Sequence, residues 1–342
     1  MSAVWRVGIE IELMAPPGLS RRTLAERLAS EAGGSVRPFF HPQSELSLVP
    51  GTPVLDNLTL GFEVLGRDGE LIARCVDDVT LQDDLDRNRA PQPGWFRVVS
   101  DELRLLHLVA RTGRADAGPL EALAPVAALF GTHSEVFPEG MVRICDESRA
   151  PIAIAMPLPG ERERTCEIVT PPLGADRADR LQALLVPAQA LGFRVARESA
   201  THIHFDAAPL RCARTIARLV RFFERWGPAL RQRVGTNPAC RRLGGWPDAL
   251  RETVSAPGFE NLSWPAAQER LQATGLSKYC DFNLKNLVHD VPGKPTFEVR
   301  ILPGLSETGL IMKQVELFET VLRQLLETEP TQNWTQALLG RA

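Results

Sequence analysis

Apolar and polar residues alternate strictly in the first segment of the chain. Between Val4 and Met14, Ile9, Ile11 and Leu13 take one set of positions, and Glu10 and Glu12 take two of the positions between them. This period of two predicts a β-strand with one apolar face and one acidic face. Both glutamates then point to the same side, with their Cα atoms roughly 6.5–7 Å apart, which suits two neighbouring cations.

The same periodicities predict the other elements of the chain. A helix is expected after the N-cap residue Ser20, closed by Gly33 and Gly34. Further strands are predicted at Phe62–Leu65, Leu71–Val76, Phe96–Val99, Ile152–Ala155, Glu167–Val169, Phe193–Ala196, His202–Phe205 and Phe297–Ile301. Further helices are predicted at Pro119–Phe130, Asp176–Leu191, Leu210–Arg233 with an interruption at Gly227–Pro228, and Glu307–Leu326 with Leu310 on its apolar face. Strands outside regular βαβ spacing favour an α+β fold with a curved, mainly antiparallel sheet flanked by helices.

The pattern of short predicted strands and turns in residues 37–116 differs from that of the rest of the chain. Their strands surround the turn Arg67–Gly69, which predicts a β-hairpin. No flexible linker separates them, so we interpret residues 1–342 as one domain with a β-rich elaboration at about 37–116. The acidic pairs Asp77–Asp78 and Asp83–Asp84 within it are expected in solvated turns rather than as metal ligands.

Polar residues recur on three further predicted strands. His202 and His204 flank Ile203, Glu298 and Arg300 flank Val299, and Glu167 opens another strand. Each pair alone is typical of a strand with one solvated face. Together they predict one concave, charged surface of a sheet.

Such a surface suits the binding of a metal ion and a phosphate. Carboxylates with one or two histidines bind divalent cations such as Mg²⁺ or Mn²⁺. An arginine beside them indicates an anion, most simply a nucleotide phosphate. The chain has no phosphate-loop, Rossmann or GxSxG motif.

Composition narrows the class of protein further. The net charge of −3 gives no argument for nucleic acid, and no apolar run reaches the roughly 18 residues that a membrane helix needs. Glu10 and Glu12 interrupt the early apolar run, so we expect no signal peptide. The six cysteines form no CxxC pair, which is typical of reduced thiols in a cytoplasmic protein.

The ordered set of these motifs resembles the amidoligase family, relatives of glutamine synthetase and glutamate–cysteine ligase. The resemblance is carried by Gly8–Glu12, Glu167–Leu173, Thr201–His204 and Phe297–Arg300, which span most of the chain. It implies a glutamine synthetase-like catalytic domain with a funnel-shaped site. It also implies an ATP-dependent carboxylate–amine ligase in which a carboxylate is phosphorylated and an amine attacks the acyl phosphate.

The resemblance also implies roles for individual residues. Glu12 and Glu167 would hold one Mg²⁺ or Mn²⁺, and Glu10, His202 and Glu298 would hold another. His204 would contact the ATP phosphates, and Arg300 would stabilise the transferred phosphoryl group. Glu12 is expected to be exposed in the funnel. Either Glu161 or Glu163 would add a ligand, and Arg241, Arg242, Lys278 or Lys285 would complete the phosphate site, with Lys278 grouped with the nucleotide-binding residues.

Several points stay open at the level of sequence. Alternatives to the ligase are a metal-dependent hydrolase that uses the His/Glu cluster, and a non-catalytic relative that binds nucleotide. The segment Ser277–Asn283 is either substrate-facing or a surface loop. The substrates are expected to be small-molecule or peptide carboxylates and amines, with no nucleic acid or membrane partner, and the chain is expected to be a monomer or simple dimer.

Overall fold

The computed structural model describes residues 5–46, 54–240, 242–291 and 293–339, so Val4 and Arg241 lie outside the described residues. The strands are β1 Val7–Met14, β2 Ser35–Leu46, β3 Val54–Leu65, β4 Leu71–Val76, β5 Phe96–Val99, β6 Ser134–Val136, β7 Val142–Cys145, β8 Pro151–Pro157, β9 Thr165–Val169, β10 Ala200–Asp206, β11 Phe282–Asn283 and β12 Thr296–Pro303. The helices are α1 Arg21–Ala32, α2 Leu103–Thr112, α3 Pro119–Leu129, α4 Arg177–Ala190, α5 Ala213–Val234, α6 Asp248–Ser255, α7 Trp264–Gln272, α8 Lys285–Val288, α9 Thr308–Glu327 and α10 Gln332–Leu339.

The chain divides into two compact units. The first comprises Met1–Ile11, Thr170–Leu185 and Arg197–Ala342, and the second comprises Glu12–Val169 and Val186–Ala196. Of the four boundaries, one falls inside β1 and one inside α4. Residues 37–116 lie wholly within the second unit. The interpretation of residues 1–342 as a single catalytic domain stays a prediction.

In the first unit, β11, β12, β10 and the first residues of β1 pair in that order, all antiparallel. Alternation gives this sheet an apolar face, on which Ile203 lies opposite both Ile9 and Val299. The aromatic ring of Phe223 on α5 lies 4.1 Å from that of Phe282 and 5.4 Å from that of Phe297, measured between centroids. Burial of these side chains anchors α5 to one face of the sheet and leaves the other face for polar residues.

In the second unit, the strand order is β9-β4-β3-β5-β8-β7-β6, with β2 paired along β3, and every described pairing is antiparallel. Helix α1 contacts β3, and the fully buried Arg21 of α1 donates to the backbone oxygen of Leu60 at 2.8 Å. Ser20 caps α1 and Gly33 closes it in the left-handed conformation, as predicted. Antiparallel sheets with helices in both units confirm the α+β class, whereas the likeness to glutamine synthetase stays a prediction.

Three local predictions are wrong. Phe193–Ala196 forms no strand but only a bridge between Arg194 and Met14, because a single pair of hydrogen bonds joins them. Helix α5 continues through Pro228, since buried Phe223 and Leu230 hold the turns on both sides. Leu310 is 40% exposed because the buried face of α9 begins one position later, at Ile311.

A fourth correction concerns the acidic pair Asp77–Asp78, which was expected in a solvated turn. Both residues are buried, with exposed fractions of 1% and 8%. Asp77 is buried because Arg162 and Thr165 donate hydrogen bonds to its carboxylate. The expectation that this pair is not a metal site stays a prediction. Asp83 is exposed as predicted, whereas Asp84 is half-buried and pairs with Arg194 at 2.8 Å.

The turn after α1 gives the first testable prediction. A Cβ atom on Gly34 would lie 1.9 Å from the backbone oxygen of Leu65, which cannot move without its strand. We therefore expect Gly34→Ala to lower the free energy of unfolding by about 1–3 kcal/mol or more. The control is Gly309→Ala, whose Cβ would meet no atom within 4 Å in helix α9. Urea denaturation of both variants checks the prediction, and equal midpoints would contradict it.

Within the described residues, no helix is long and apolar enough to cross a membrane.

Candidate active site

The register of the first unit's sheet brings four predicted residues together. Glu10 on β1 lies directly opposite His202 on β10, and His204 on β10 lies directly opposite Glu298 on β12. Side chains of residues directly opposite in an antiparallel sheet share a face, with Cβ atoms about 4.5–5.5 Å apart. With Arg300 at the same parity on β12, these residues form the polar face of the first unit.

Glu10 is at the centre of this face. Its Oε2 atom lies 3.2 Å from Nδ1 of His202, and its Oε1 atom lies 3.1 Å from Nε2 of His204. Oε1 of Glu298 lies 3.8 Å from each of the same two ring nitrogens. Two carboxylates and two imidazoles therefore converge on one small volume.

Three of these groups fit a divalent cation. Ligand atoms of Glu10, His204 and Glu298 all lie within 4.8 Å of one another. Neighbouring ligands of a cation held at about 2.1 Å are roughly 3 Å apart in octahedral geometry, so a contraction of this cluster would supply three ligands of such a shell. The side chains are mostly buried, with 15%, 12% and 4% of their areas exposed. His204, predicted to contact phosphates, is thus placed as closely to the carboxylates as His202, the predicted metal ligand.

The electrostatics keep both carboxylates ionised. Burial tends to raise the pKa of Glu10, but His204 and His202 outweigh it and hold this pKa well below its usual range. Burial likewise opposes ionisation of Glu298, but Arg300 and His204 lower its pKa. Burial tends to lower the pKa of His204, and the negative charges of Glu10 and Glu298 more than offset it, so the pKa is raised. A cation that binds here would meet charged carboxylates and displace the imidazole proton.

Basic residues gather on one side of Glu298. Arg300 donates from Nη1 to Oε1 of Glu298. Desolvation lowers the pKa of Lys278, and the nearby charges of Arg242, Arg300 and Lys285 lower it further. Arg242 and Lys278 also lie 5.3 and 5.4 Å from the ring centroid of Tyr279. Three of the four basic residues left open by the sequence are therefore close together, since the charges of Arg242 and Lys285 both act on Lys278. Such a concentration of positive charge suits an anionic ligand.

Further hydrogen bonds hold the side chains of the polar face in place. Asn283 donates from Nδ2 to Oε2 of Glu298 at 2.7 Å. The hydroxyl of Thr296 lies 3.2 Å from Nδ1 of His204 and accepts a hydrogen bond from Asn286. The sequence analysis missed the roles of Thr296 and Asn286. Thr296 has the same parity as Glu298 on β12, so extending the alternation by one step identifies it.

Two predicted metal ligands, Glu12 and Glu167, belong to the second unit. Glu12 was expected to be exposed, but it is 5% exposed because it lies where β1 is buried on both faces. Glu167 lies on β9 opposite Val76 of β4. Their role as ligands stays a prediction.

Glu161, one of the two glutamates considered as an additional metal ligand, forms ion pairs within the second unit. Oε1 of Glu161 lies 2.6 Å from Arg89, and Oε2 accepts hydrogen bonds from Arg164 and from the backbone of Asp86. Burial opposes its ionisation, but these bonds lower its pKa. Both oxygens of Glu161 thus have structural partners. Glu163 is 6% exposed, and the choice of either glutamate as the additional acidic ligand stays a prediction.

Clusters of carboxylate, imidazole and guanidinium groups with shifted pKa values, like the one on this sheet face, are common at the active sites of enzymes. A family model described as "putative amidoligase enzyme" matches residues 3–322. The chain belongs to this family, which indicates a ligase-type enzyme, and the resemblance found in the sequence is confirmed. Comparisons with curated proteins and with solved structures gave no match.

Proposed function

We propose that the protein is an ATP-dependent carboxylate–amine ligase that forms an amide or peptide-type bond through an acyl-phosphate intermediate. The observation that carries the proposal is the convergence of Glu10, His204 and Glu298 beside Arg300. Membership of the amidoligase family supports the reaction class. A free carboxylate is a poor acyl donor, so phosphorylation is the step that makes attack by an amine feasible.

The donor set fits Mg²⁺ or Mn²⁺. Glu10 and Glu298 would supply anionic oxygens, and His202 and His204 would supply ring nitrogens, a mixture that suits Mn²⁺ at least as well as Mg²⁺. Glu12 and Glu167 are proposed to hold a second cation. When bound, such cations neutralise charge on the nucleotide phosphates.

The chain's own basic residues would position the phosphates and the reacting groups. Lys278, with Arg242 and Lys285 nearby, would bind phosphate oxygens. Arg300, held against Glu298, would stabilise the charge of the phosphoryl group in transfer. His204 lies close enough to this group to contact a phosphate as well as a cation.

The substrates are proposed to be a small-molecule or peptide carboxylate and an amine. Cytoplasmic location and a monomeric or dimeric state belong to the same proposal. The alternative of a metal-dependent hydrolase is not favoured, because the family match points to a ligase.

Calorimetric titration with a non-hydrolysable ATP analogue tests the proposal. We expect binding in the presence of Mg²⁺ and its loss when EDTA replaces the metal, because the carboxylates would otherwise repel the phosphates. Lys278→Met should weaken this binding about tenfold or more, since a charge-assisted hydrogen bond is lost. Lys313→Met, at an exposed position on α9, is the matched control.

A folded protein that binds no analogue with or without Mg²⁺ would refute the proposal. If Mg²⁺-dependent binding is found, ADP release is then screened with pools of carboxylates and amines to identify the substrates.

A further inference from the structure

Asn283 lies on the polar face of the first unit, next to Glu298. It lies on the short strand β11, directly opposite Glu298 on β12, and only 1% of its surface is exposed. Its Nδ2 atom donates to Oε2 of Glu298 at 2.7 Å. No bulk water can replace this donor, because Glu298 is 3% exposed as well.

The orientation of the Asn283 amide follows from its two partners. Its Oδ1 atom accepts a hydrogen bond from the backbone N–H of Lys285 at 2.8 Å, at the start of α8. A flipped amide would place its oxygen against a carboxylate and its NH₂ group against an N–H, so that both contacts would become repulsive. The NH₂ group must therefore face Glu298.

Because of this contact, the two oxygens of the Glu298 carboxylate have different partners. Oε2 is held by Asn283, and Oε1 points to Arg300 and lies 3.8 Å from a ring nitrogen of each histidine. Rotation of the carboxylate would break the Asn283 bond and leave a buried oxygen without its donor. Only Oε1 is thus directed at the volume where Glu10 and the histidines converge.

We propose that Asn283 is a positioning residue that fixes the Glu298 carboxylate so that one oxygen, Oε1, is presented to a divalent cation. The inference rests on the proposed function, because it assumes that Glu298 is a metal ligand. Removal of a side chain that hydrogen-bonds to a metal ligand typically weakens metal affinity 10–100-fold. Through its two hydrogen bonds, the Asn283 side chain also links the N–H of Lys285, at the start of α8, to Glu298.

The test is a titration of the full chain with Mn²⁺ alone, followed by the electron paramagnetic resonance signal of free and bound Mn²⁺. We expect Asn283→Leu to weaken Mn²⁺ binding about 10–100-fold and to change the spectrum of the bound ion. The matched control is Asn237→Leu, an amide of the same unit that donates to the backbone oxygens of Arg197 and Ser199. That control should keep its Mn²⁺ affinity within about twofold of the wild type even where its melting temperature falls.

If Asn283→Leu fails to fold, Asn283→Ser takes its place, because a serine hydroxyl can still accept from the Lys285 N–H but cannot reach Glu298. Unchanged Mn²⁺ affinity and spectrum in a folded Asn283 variant, with the wild type binding Mn²⁺, would overturn this inference alone. A wild-type protein that binds no Mn²⁺ would overturn the proposed metal site together with the inference. Equal losses in the Asn283 and Asn237 variants would show a general structural effect and would also overturn it.

Discussion

Asp77→Asn is expected to lower the free energy of unfolding by about 3–5 kcal/mol, because breaking a buried ion pair leaves a buried charge uncompensated. Asp77 is 1% exposed and accepts from Nη2 of Arg162 at 2.7 Å and from the hydroxyl of Thr165. Arg21, which is fully buried, has a guanidinium nitrogen 3.9 Å from the same carboxylate. A neutral asparagine would leave two guanidinium groups of the second unit without their shared counter-ion.

The same carboxylate makes stability depend on pH. Burial tends to raise the pKa of Asp77, but Arg162 and Arg21 outweigh it and hold the pKa below its usual value. Stability from a group with a depressed pKa is fully present above the unfolded-state pKa of about 3.9 and is lost as the pH falls through the folded-state pKa. The difference between wild type and Asp77→Asn should therefore be constant near neutral pH and shrink below about pH 4.

The matched control is Asp68→Asn, at an exposed aspartate in the turn between β3 and β4. It should change stability by no more than about 0.5 kcal/mol. Urea denaturation of the three proteins between acid and neutral pH provides the comparison. Equal stabilities for Asp77→Asn and Asp68→Asn at neutral pH would show that the Asp77 cluster contributes nothing net.

Strong alternation in the sequence predicted the strands that carry the polar face. β1, β10 and β12 place apolar residues on one side and Glu, His or Arg on the other, and the structure confirms each end to within three residues. By contrast, β2 was missed because Pro38 and Pro42 interrupt its pattern. Its pairing with β3 over the whole strand supplies the hydrogen bonds that local propensity does not predict.

For the candidate site, parity predicted which side chains share a face, but it could not predict the register. The opposition of Glu10 to His202 and of His204 to Glu298 depends on how three distant strands pair and on an irregularity between Thr201 and Ile203. The support from Asn283 depends on β11, a strand of two residues with no periodicity of its own. Burial of Asp77 depends on Arg162, 85 positions away in the chain, which no local pattern reveals.

Arg300→Met is expected to slow ADP release about 10³-fold or more, if the proposed ligase reaction is correct. The Arg300 side chain is 12% exposed and donates to Glu298, so its guanidinium is held in place before any substrate binds. Guanidinium groups that stabilise a transferring phosphoryl group contribute about 10³–10⁵ to the rate. Methionine retains much of the side-chain volume but removes the charge.

Arg300→Lys and Arg211→Met separate this role from simpler ones. Lysine keeps the charge without the planar fork, so its rate should lie between those of wild type and Arg300→Met. Arg211 belongs to the same unit and pairs with Asp290 at 2.9 Å on the exposed surface, so its loss should leave the rate unchanged.

The rate is measured as ADP release from ATP and Mg²⁺ with the substrates found by the screen, and Mn²⁺ affinity is measured on the same variants. If Arg300→Met loses Mn²⁺ binding to the same degree as activity, Arg300 acts by keeping Glu298 ionised; if activity alone falls, it acts on the phosphoryl group. Full activity in Arg300→Met would exclude both roles.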